Sequence, residues 1–580
     1  VNAQNKPATL LYEGPGTGMK IRTLMKIALS SFVLILILAK TGYGQEGVNV
    51  EDLAYWIEDY RICDNRRNLG RIGPVAIGDI NGDGYGDMIM GAPRATCQGS
   101  EDTGMVYVRL GLNYGVGTYE AHEDFYDLTS SPSITDPTVS RLNFIDQFGR
   151  PGGVQINGEV PGHLFGDAVA SGDFNGDGVD DLAITASERL GPTGPGRVYL
   201  IRGRSGIQGT LDPQQERLNS DSFYIAGREV GDQFGEVLVF GDIDLDGKDD
   251  LVIGSPYAGK GGEVDIFFGR DFVPFVLMPI DLVPPPHVVV LAERENDQLG
   301  TSVAIGDMNG DNRPDLVIGA PMNSEYATNS GKVYILYNND LVTTGQMPVT
   351  QTIDLAERAP SVMVFNSIAN DGAGSALAVG DCNGDGLQDL VIGAPYGSLL
   401  NVSHCGKVYF LYNKGQFTNN FYVNIQQSVD LTVSSTFING HFGHHVAALD
   451  INDDGIADII MTVPYGAPMA RDYAGGAYIV MGRSGTNVLH GYAWVGDRHA
   501  DVDIIGGERG DFVGYHLAIG DINGDAIDDF ILTGDRVSGV NSTFGTMWAL
   551  FGTIHYEYFN IITAASIVTA VDENVWQLYR

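Results

Sequence analysis

The sequence predicts an all-β chain, a seven-bladed β-propeller of four-stranded blades that occupies residues 45–580. Two observations lead there. An acidic nine-residue motif, D-x-[ND]-x-D-x-x-x-D, recurs seven times, opening at Asp79, Asp173, Asp242, Asp307, Asp381, Asp450 and Asp521. The intervals are 94, 69, 65, 74, 69 and 71 residues, so the chain counts off units of about one blade each. The second observation is the frame around each motif, which holds only strand-length apolar runs bounded by Gly, Pro and Asn. Helical solenoids are disfavoured because no unit sustains a 3.6-residue apolar period.

Within a unit the elements follow in a fixed order. A short apolar segment precedes the acidic loop: PVAIGD, AVASGD, VLVFGD, SVAIGD, ALAVGD, HVAALD and HLAIGD. A second run follows it, such as DLVIGAP at 315–321 and 389–395, and in four units it closes on a Gly-Ala-Pro-like tripeptide at Gly91, Gly254, Gly319 and Gly393. In the other three this element decays to Thr185-Ala186-Ser187, Thr462-Val463-Pro464 and Thr533-Gly534-Asp535. A third run rich in Val, Tyr, Ile and Phe comes next (GKVYILYN, GKVYFLYN), and a fourth such as DSFYIAG at 221–227 completes the unit. Four strands per ~70 residues is blade spacing, and closing the blades into a ring protects edges that would otherwise recruit other chains.

The motif has the chemistry of a calcium loop. Oxygen side chains at positions 1, 3 and 5, the carbonyl of position 7 and a carboxylate at position 9 can surround one hard cation. The ligands expected are Asp79, Asn81, Asp83, Tyr85 and Asp87 in loop 79–87, and Asp173, Asn175, Asp177, Val179 and Asp181 in loop 173–181. Loop 242–250 offers Asp242, Asp244, Asp246, Lys248 and Asp250, and loop 307–315 offers Asp307, Asn309, Asp311, Arg313 and Asp315. The last three are Asp381, Asn383, Asp385, Leu387 and Asp389 in 381–389; Asp450, Asn452, Asp454, Ile456 and Asp458 in 450–458; and Asp521, Asn523, Asp525, Ile527 and Asp529 in 521–529. Position 7 contributes its backbone carbonyl in every case. With no His or Cys among the donors, up to seven Ca2+ ions are expected. An EF-hand is excluded, since position 12 is apolar throughout (Met90, Ile184, Ile253, Ile318, Ile392, Met461, Leu532) and the flanks read as strands.

Position 6 favours Gly, because the chain turns there with φ > 0. Five loops have it; Asn312 tolerates that backbone, and Ala526 should cost on the order of 1 kcal/mol. The third loop, with four carboxylates, is expected to bind most strongly and the seventh most weakly.

Charge and compartment follow. The chain carries 34 Lys+Arg against 73 Asp+Glu, a net charge of −39, which argues against nucleic acid and anionic membranes as partners. Residues 1–44 hold five basic groups and one acid, so the remainder stands at −43. Residues 19–44 read as a signal peptide: Lys20, Arg22 and Lys26, an apolar run from Ile27 to Ala39, then Gly42 and Gly44 before Gln45. Residues 1–18 are expected to be a non-native upstream segment. The apolar run is too short to span a bilayer, so a secreted chain without a membrane span is expected. Cys63, Cys97, Cys382 and Cys405 allow three disulfide pairings, of which proximity favours Cys63–Cys97 and Cys382–Cys405. Sequons at Asn401 and Asn541 suit a glycoprotein.

These residues resemble the FG-GAP repeats of the integrin α-chain N-terminal propeller. The Phe-Gly element stands at Phe165-Gly166, Phe234-Gly235 and Phe442-Gly443, and drifts to Leu299-Gly300, Ala373-Gly374 and Val513-Gly514. The resemblance implies calcium in the loops between first and second strands, on the lower face, and partner contacts through loops of the upper face. Here those loops are 94–103, 188–196, 322–330, 396–406, 465–475 and 535–545. The long first interval implies an insertion around 115–150. Only 34 residues, 45–78, lie between the expected cleavage site and the first acidic loop, so the separate catalytic domain that precedes such repeats in glycosylphosphatidylinositol-specific phospholipase D is not expected there.

No nucleophile elbow, P-loop or zincin motif is present, and the clustered acids are accounted for as ligands, so a non-enzyme is expected. His441, His444 and His445 could suggest zinc, but strand alternation should put His444 and His445 on opposite faces. Two function classes remain. One is a calcium-binding extracellular adhesion or recognition module with a protein or glycan partner, in possible association with another subunit. The other is a non-catalytic propeller serving an exported hydrolase or polysaccharide-binding system.

Overall fold

The computed structural model describes residues 73–95, 103–111, 153–187, 194–219, 221–272, 285–342, 350–399, 402–415, 417, 421–495, 500–506, 509–535, 545–550, 552 and 562–563, all within the compact unit Val48–Arg580. The signal segment, residues 1–18, the insertion, Cys63, Cys97 and the asparagines of both sequons lie outside the described residues.

Every acidic motif is the turn of a β-hairpin. In the third blade Val237–Gly241 leads into the loop and Asp250–Ser255 leads out, with Gly241 paired to Asp250. Glu263–Phe267 and Val288–Leu291 complete the antiparallel sheet. The other blades repeat this order from Val75–Gly78, Phe165–Gly172, Ser302–Gly306, Ala376–Gly380, Val446–Leu449 and Leu517–Gly520. In the seventh, three strands lie among the described residues. Second strands such as Asp315–Ala320 are buried along their whole length, which explains their unbroken apolar sequence. First strands such as Val237–Gly241 are half-buried throughout.

The structure adds a strand that the four-strand reading did not contain. In five blades a fifth strand pairs in parallel with the fourth, and it comes from the next repeat. Gln351–Asp354, which precedes the fourth strand of blade four, lies against Val288–Leu291 of blade three. Phe421–Asn424 and Gly491–Val495 serve blades four and five in the same way. These segments are short and their partners are non-local, so no periodicity in the sequence marks them. They cover edges that the ring alone would leave open.

The first strands touch one another in chain order, and Val75–Gly78 meets Leu517–Gly520, closing the ring. Among the described residues the apolar core falls into seven clusters, each shared by two neighbouring blades. One joins Ile243, Val264 and Val290 to Leu316, Ile318 and Tyr334. Another joins Met90 and Tyr107 of the first blade to Ile531 and Met547 of the seventh. Each such side chain contributes about 1.5–3 kcal/mol on burial, so stability resides between blades.

The Phe-Gly and Gly-Ala-Pro elements meet at these junctions. A Cβ on Gly319 would lie 2.0 Å from the carbonyl oxygen of Gly374 in the next blade, so only glycine fits. Where Thr185 replaces that glycine, its hydroxyl donates to the Gly235 carbonyl at 2.6 Å.

Candidate metal centres

The seven loops share one hydrogen-bond scheme. The position-1 carboxylate folds the loop over itself: Asp79 Oδ1 accepts from the N–H groups of Gly82 and Asp83 at 2.8 and 3.0 Å, and Oδ2 from Gly84 at 2.7 Å. Asp381 and Asp521 do the same in their loops. Position 5 accepts from the N–H of position 7, as Asp385 does from Leu387 at 2.9 Å. At position 6 all seven residues take positive φ, including Asn312 at 61° and Ala526 at 66°, which is the backbone the glycine preference anticipates.

Position 9 is the hub. Asp389 Oδ2 accepts from the N–H of Cys382 at 3.0 Å, and Oδ1 accepts from the N–H of Asn413, beyond the third strand, at 2.6 Å. Asp87, Asp250, Asp315, Asp458 and Asp529 hold the same two kinds of partner, and Asp181 accepts from Gly203. All seven are buried. Burial pushes the carboxyls of Asp87, Asp250 and Asp529 up to about 8, and those of Asp181, Asp315, Asp389 and Asp458 up to about 7. Backbone N–H groups oppose the rise; acids within the same loop add to it. A buried acid surrounded by other acids suits a site for positive charge.

The third loop brings three carboxylates together: oxygens of Asp242, Asp244 and Asp250 lie within 4.8 Å of one another. In four of the other loops the position-3 Asn is turned toward the hub, as Asn383 donates to both oxygens of Asp389 at 3.1 and 3.2 Å. The donors are all oxygen, they come from a hairpin turn, and they carry excess negative charge. This set fits a hard divalent cation of variable coordination number, calcium before magnesium.

Position 8 was not singled out in the sequence, yet it ties blade to blade. Asp249 N–H donates to the carbonyl of Asp173 at 2.9 Å, and Asp173 N–H donates back to Asp249 Oδ2 at 2.9 Å. Asp180 makes the same reciprocal pair with Asp79. Gln388 and Asp528 accept from Asp307 and Asp450. The doublets Asp180-Asp181, Asp249-Asp250 and Asp528-Asp529 were the available signal.

The seven-fold repetition of this hairpin and its junctions is matched by a family model. The FG-GAP repeat model matches residues 75–108, 165–201, 234–267, 299–336, 373–411 and 442–480, six of the seven units. The chain belongs to the integrin-α-like FG-GAP propeller family. The human phosphatidylinositol-glycan-specific phospholipase D is 27% identical over 403 residues, 67% of this chain and 42% of that protein. Its rat counterpart is 35% identical over 170 residues, 29% of this chain and 19% of that protein. Integrin alpha-5 of Xenopus laevis is 30% identical over 221 residues, 36% of this chain and 20% of that protein. The chain therefore spans less than half the length of these relatives.

Two expectations about side chains need correction. Cys382 and Cys405 are buried free thiols. Cys382 sits in the acidic loop and Cys405 in the turn after the second strand, so the length of an FG-GAP strand separates two residues that are close in sequence. His444 and His445 are not divided between faces: their rings lie 4.8 Å apart. The strand begins only at Val446, so alternation does not govern them. With His516, whose ring is 5.8 Å from that of His445, they form an imidazole cluster beside Tyr515. Burial pulls His445 down to about 4 and His516 to about 3, so the cluster is neutral at pH 7. Among the described residues no helix is long and apolar enough to cross a membrane.

Proposed function

We propose that this FG-GAP propeller is an exported calcium-binding recognition module, with ions in the seven acidic loops and partner contacts on the opposite face. The observation that carries the calcium reading is the buried position-9 carboxylate. It stands beside acids in every loop, in an all-oxygen donor set. Seven divalent ions would bring residues 45–580 from −43 to −29. The recognition reading is supported by tyrosines standing open to solvent on loops after the Gly-Ala-Pro elements. Tyr326, Tyr396 and Tyr473 are 43, 38 and 50% exposed, and exposed aromatics are enriched where proteins bind partners. An extracellular protein or glycan is the partner class, and the integrin relatives support association with a second subunit.

A second reading rests on the longer match to phospholipase D: the propeller serves an exported hydrolase or polysaccharide-binding system and contributes no catalytic group itself. Capture from extracellular-matrix extract by immobilised protein, in calcium and in EGTA, separates the two. Calcium-dependent retention of matrix protein favours adhesion; retention of polysaccharide alone favours the second reading. Radiocalcium dialysis tests the ions directly, and a chain that binds none at millimolar calcium refutes the calcium reading.

A further inference from the structure

The seven loops are alike in sequence, but the residue that follows the third strand of each blade is not. It is the one just before the N–H that caps position 9, among the described residues Leu110, Phe268, Tyr337, Tyr412 and Met481 in five repeats and Arg202 in the second. Gly203 N–H donates to Asp181 Oδ1 at 2.9 Å, which fixes the backbone of Arg202 beside the loop. The Arg202 N–H donates to the Asp221 carbonyl at 2.8 Å and holds it from the other side. From that anchor the guanidinium reaches the position-5 acid. Nη2 lies 2.6 Å and Nε 3.2 Å from Asp177 Oδ2. Among the described residues no lysine or arginine pairs with Asp83, Asp246, Asp311, Asp385 or Asp454, the same position in five other loops.

We propose that Arg202 is an internal competitor for calcium in the second loop, a tethered cation that neutralises Asp177 and makes this site, rather than the seventh with its Ala526, the last in the ring to fill. The proposal rests on the calcium reading above and concerns the order of filling within it. Asp177 is one of only three carboxylates at the ligand positions of its loop, so the guanidinium offsets a third of the charge those positions offer to an ion. Binding an ion through Asp177 requires that side chain to leave its arginine, and Arg202, about two-fifths exposed, has solvent to move into. The third loop is the opposite case. It has four carboxylates at ligand positions, and its own lysine, Lys248, is turned away to Asp271 at 2.9 Å. The ring is thus graded, with a tight site at one blade and a weak, displaceable one at its neighbour.

The test is radiocalcium dialysis of the whole chain, comparing wild type with Arg202→Met, which copies the sixth blade, and with Arg202→Gln. The site missing from Asp173→Ala identifies the second loop in the isotherm. Both Arg202 variants should tighten that site about fivefold, equivalent to about 1 kcal/mol for an exposed ion pair removed, and leave the other sites unchanged. An isotherm unchanged by either variant, with ions still bound, overturns the role of Arg202 and leaves the calcium reading intact. No ion bound by wild type overturns both.

Discussion

Replacing Asp389 with Asn should have an effect on stability whose size depends on pH, and the slope can be worked out from the site. Both oxygens of Asp389 accept backbone N–H groups, from Cys382 and Asn413. Asn has one acceptor oxygen, so one buried N–H loses its partner, at about 1–3 kcal/mol whatever the pH. The second effect runs the other way. Burial raises the Asp389 carboxyl from 3.8 to about 7 in the ion-free fold. For an acid with a raised folded pKa, the stability it contributes is complete below 3.8 and is lost as pH rises through 7. The loss totals about 4 kcal/mol at 1.36 kcal/mol per unit. Asn does not titrate. In calcium-stripped protein the variant should therefore gain on wild type by roughly 3 kcal/mol between pH 4.5 and 7.5. The lowered His445 and His516 act in the opposite sense over an overlapping range, but they are common to both proteins and cancel in the difference. Urea unfolding of both proteins at three pH values, after ion removal, measures it. Stability curves that stay parallel from pH 4.5 to 7.5 would show that the buried carboxyl is not protonated in the empty loop, and the electrostatic argument for a cation would fall. With calcium present the ion holds the carboxylate charged, and wild type should be the more stable at pH 7.5.

Three further outcomes are expected. Ala526→Gly relieves a left-handed alanine at φ 66° and should raise the urea midpoint by the equivalent of about 0.5–1 kcal/mol; a fall in the midpoint contradicts the strain. Asp249→Ala removes the acceptor of the Asp173 N–H across a blade junction and should cost about 1–3 kcal/mol in denaturant unfolding. Preserved stability there would mean that water replaces the bond. Lys407→Met strands the buried Asp371, which Lys407 meets at 2.8 Å, and should cost about 3–5 kcal/mol. Adding Asp371→Asn should recover part of that loss, and calorimetry of the single and double variants shows whether it does.

The acidic loops were legible because their chemistry is local. Nine consecutive residues supply the turn, its hydrogen bonds and the buried hub, so spacing alone located the seven hairpin loops. The left-handed position 6 was legible for the same reason, down to the strained Ala526. The pairing of Cys382 with Cys405 was misjudged, because proximity in sequence says nothing about which end of a strand a residue occupies. His444 and His445 were misjudged because alternation was applied to the bend just before the strand begins at Val446. Position 8 went unremarked although its doublets are plain, since an Asp beside a ligand Asp has no visible role until the neighbouring blade presents its backbone.

The sequence by itself determined the repeat, its count and the oxygen-rich loops, because each depends on residues within one hairpin. Only the tertiary structure decided what crosses between hairpins: the parallel fifth strands lent to the preceding blade, the core shared across every junction, the Asp249 and Asp180 bridges, and the hold of Arg202 on Asp177. Those contacts join residues 25 to more than 100 positions apart, or the two ends of the ring, as in the Gly86 N–H to Asp521 carbonyl bond of 3.1 Å. No local pattern encodes such distances; the Arg202 contact exists once the third strand of its own blade pairs, and the others once the ring closes and sets adjacent blades side by side.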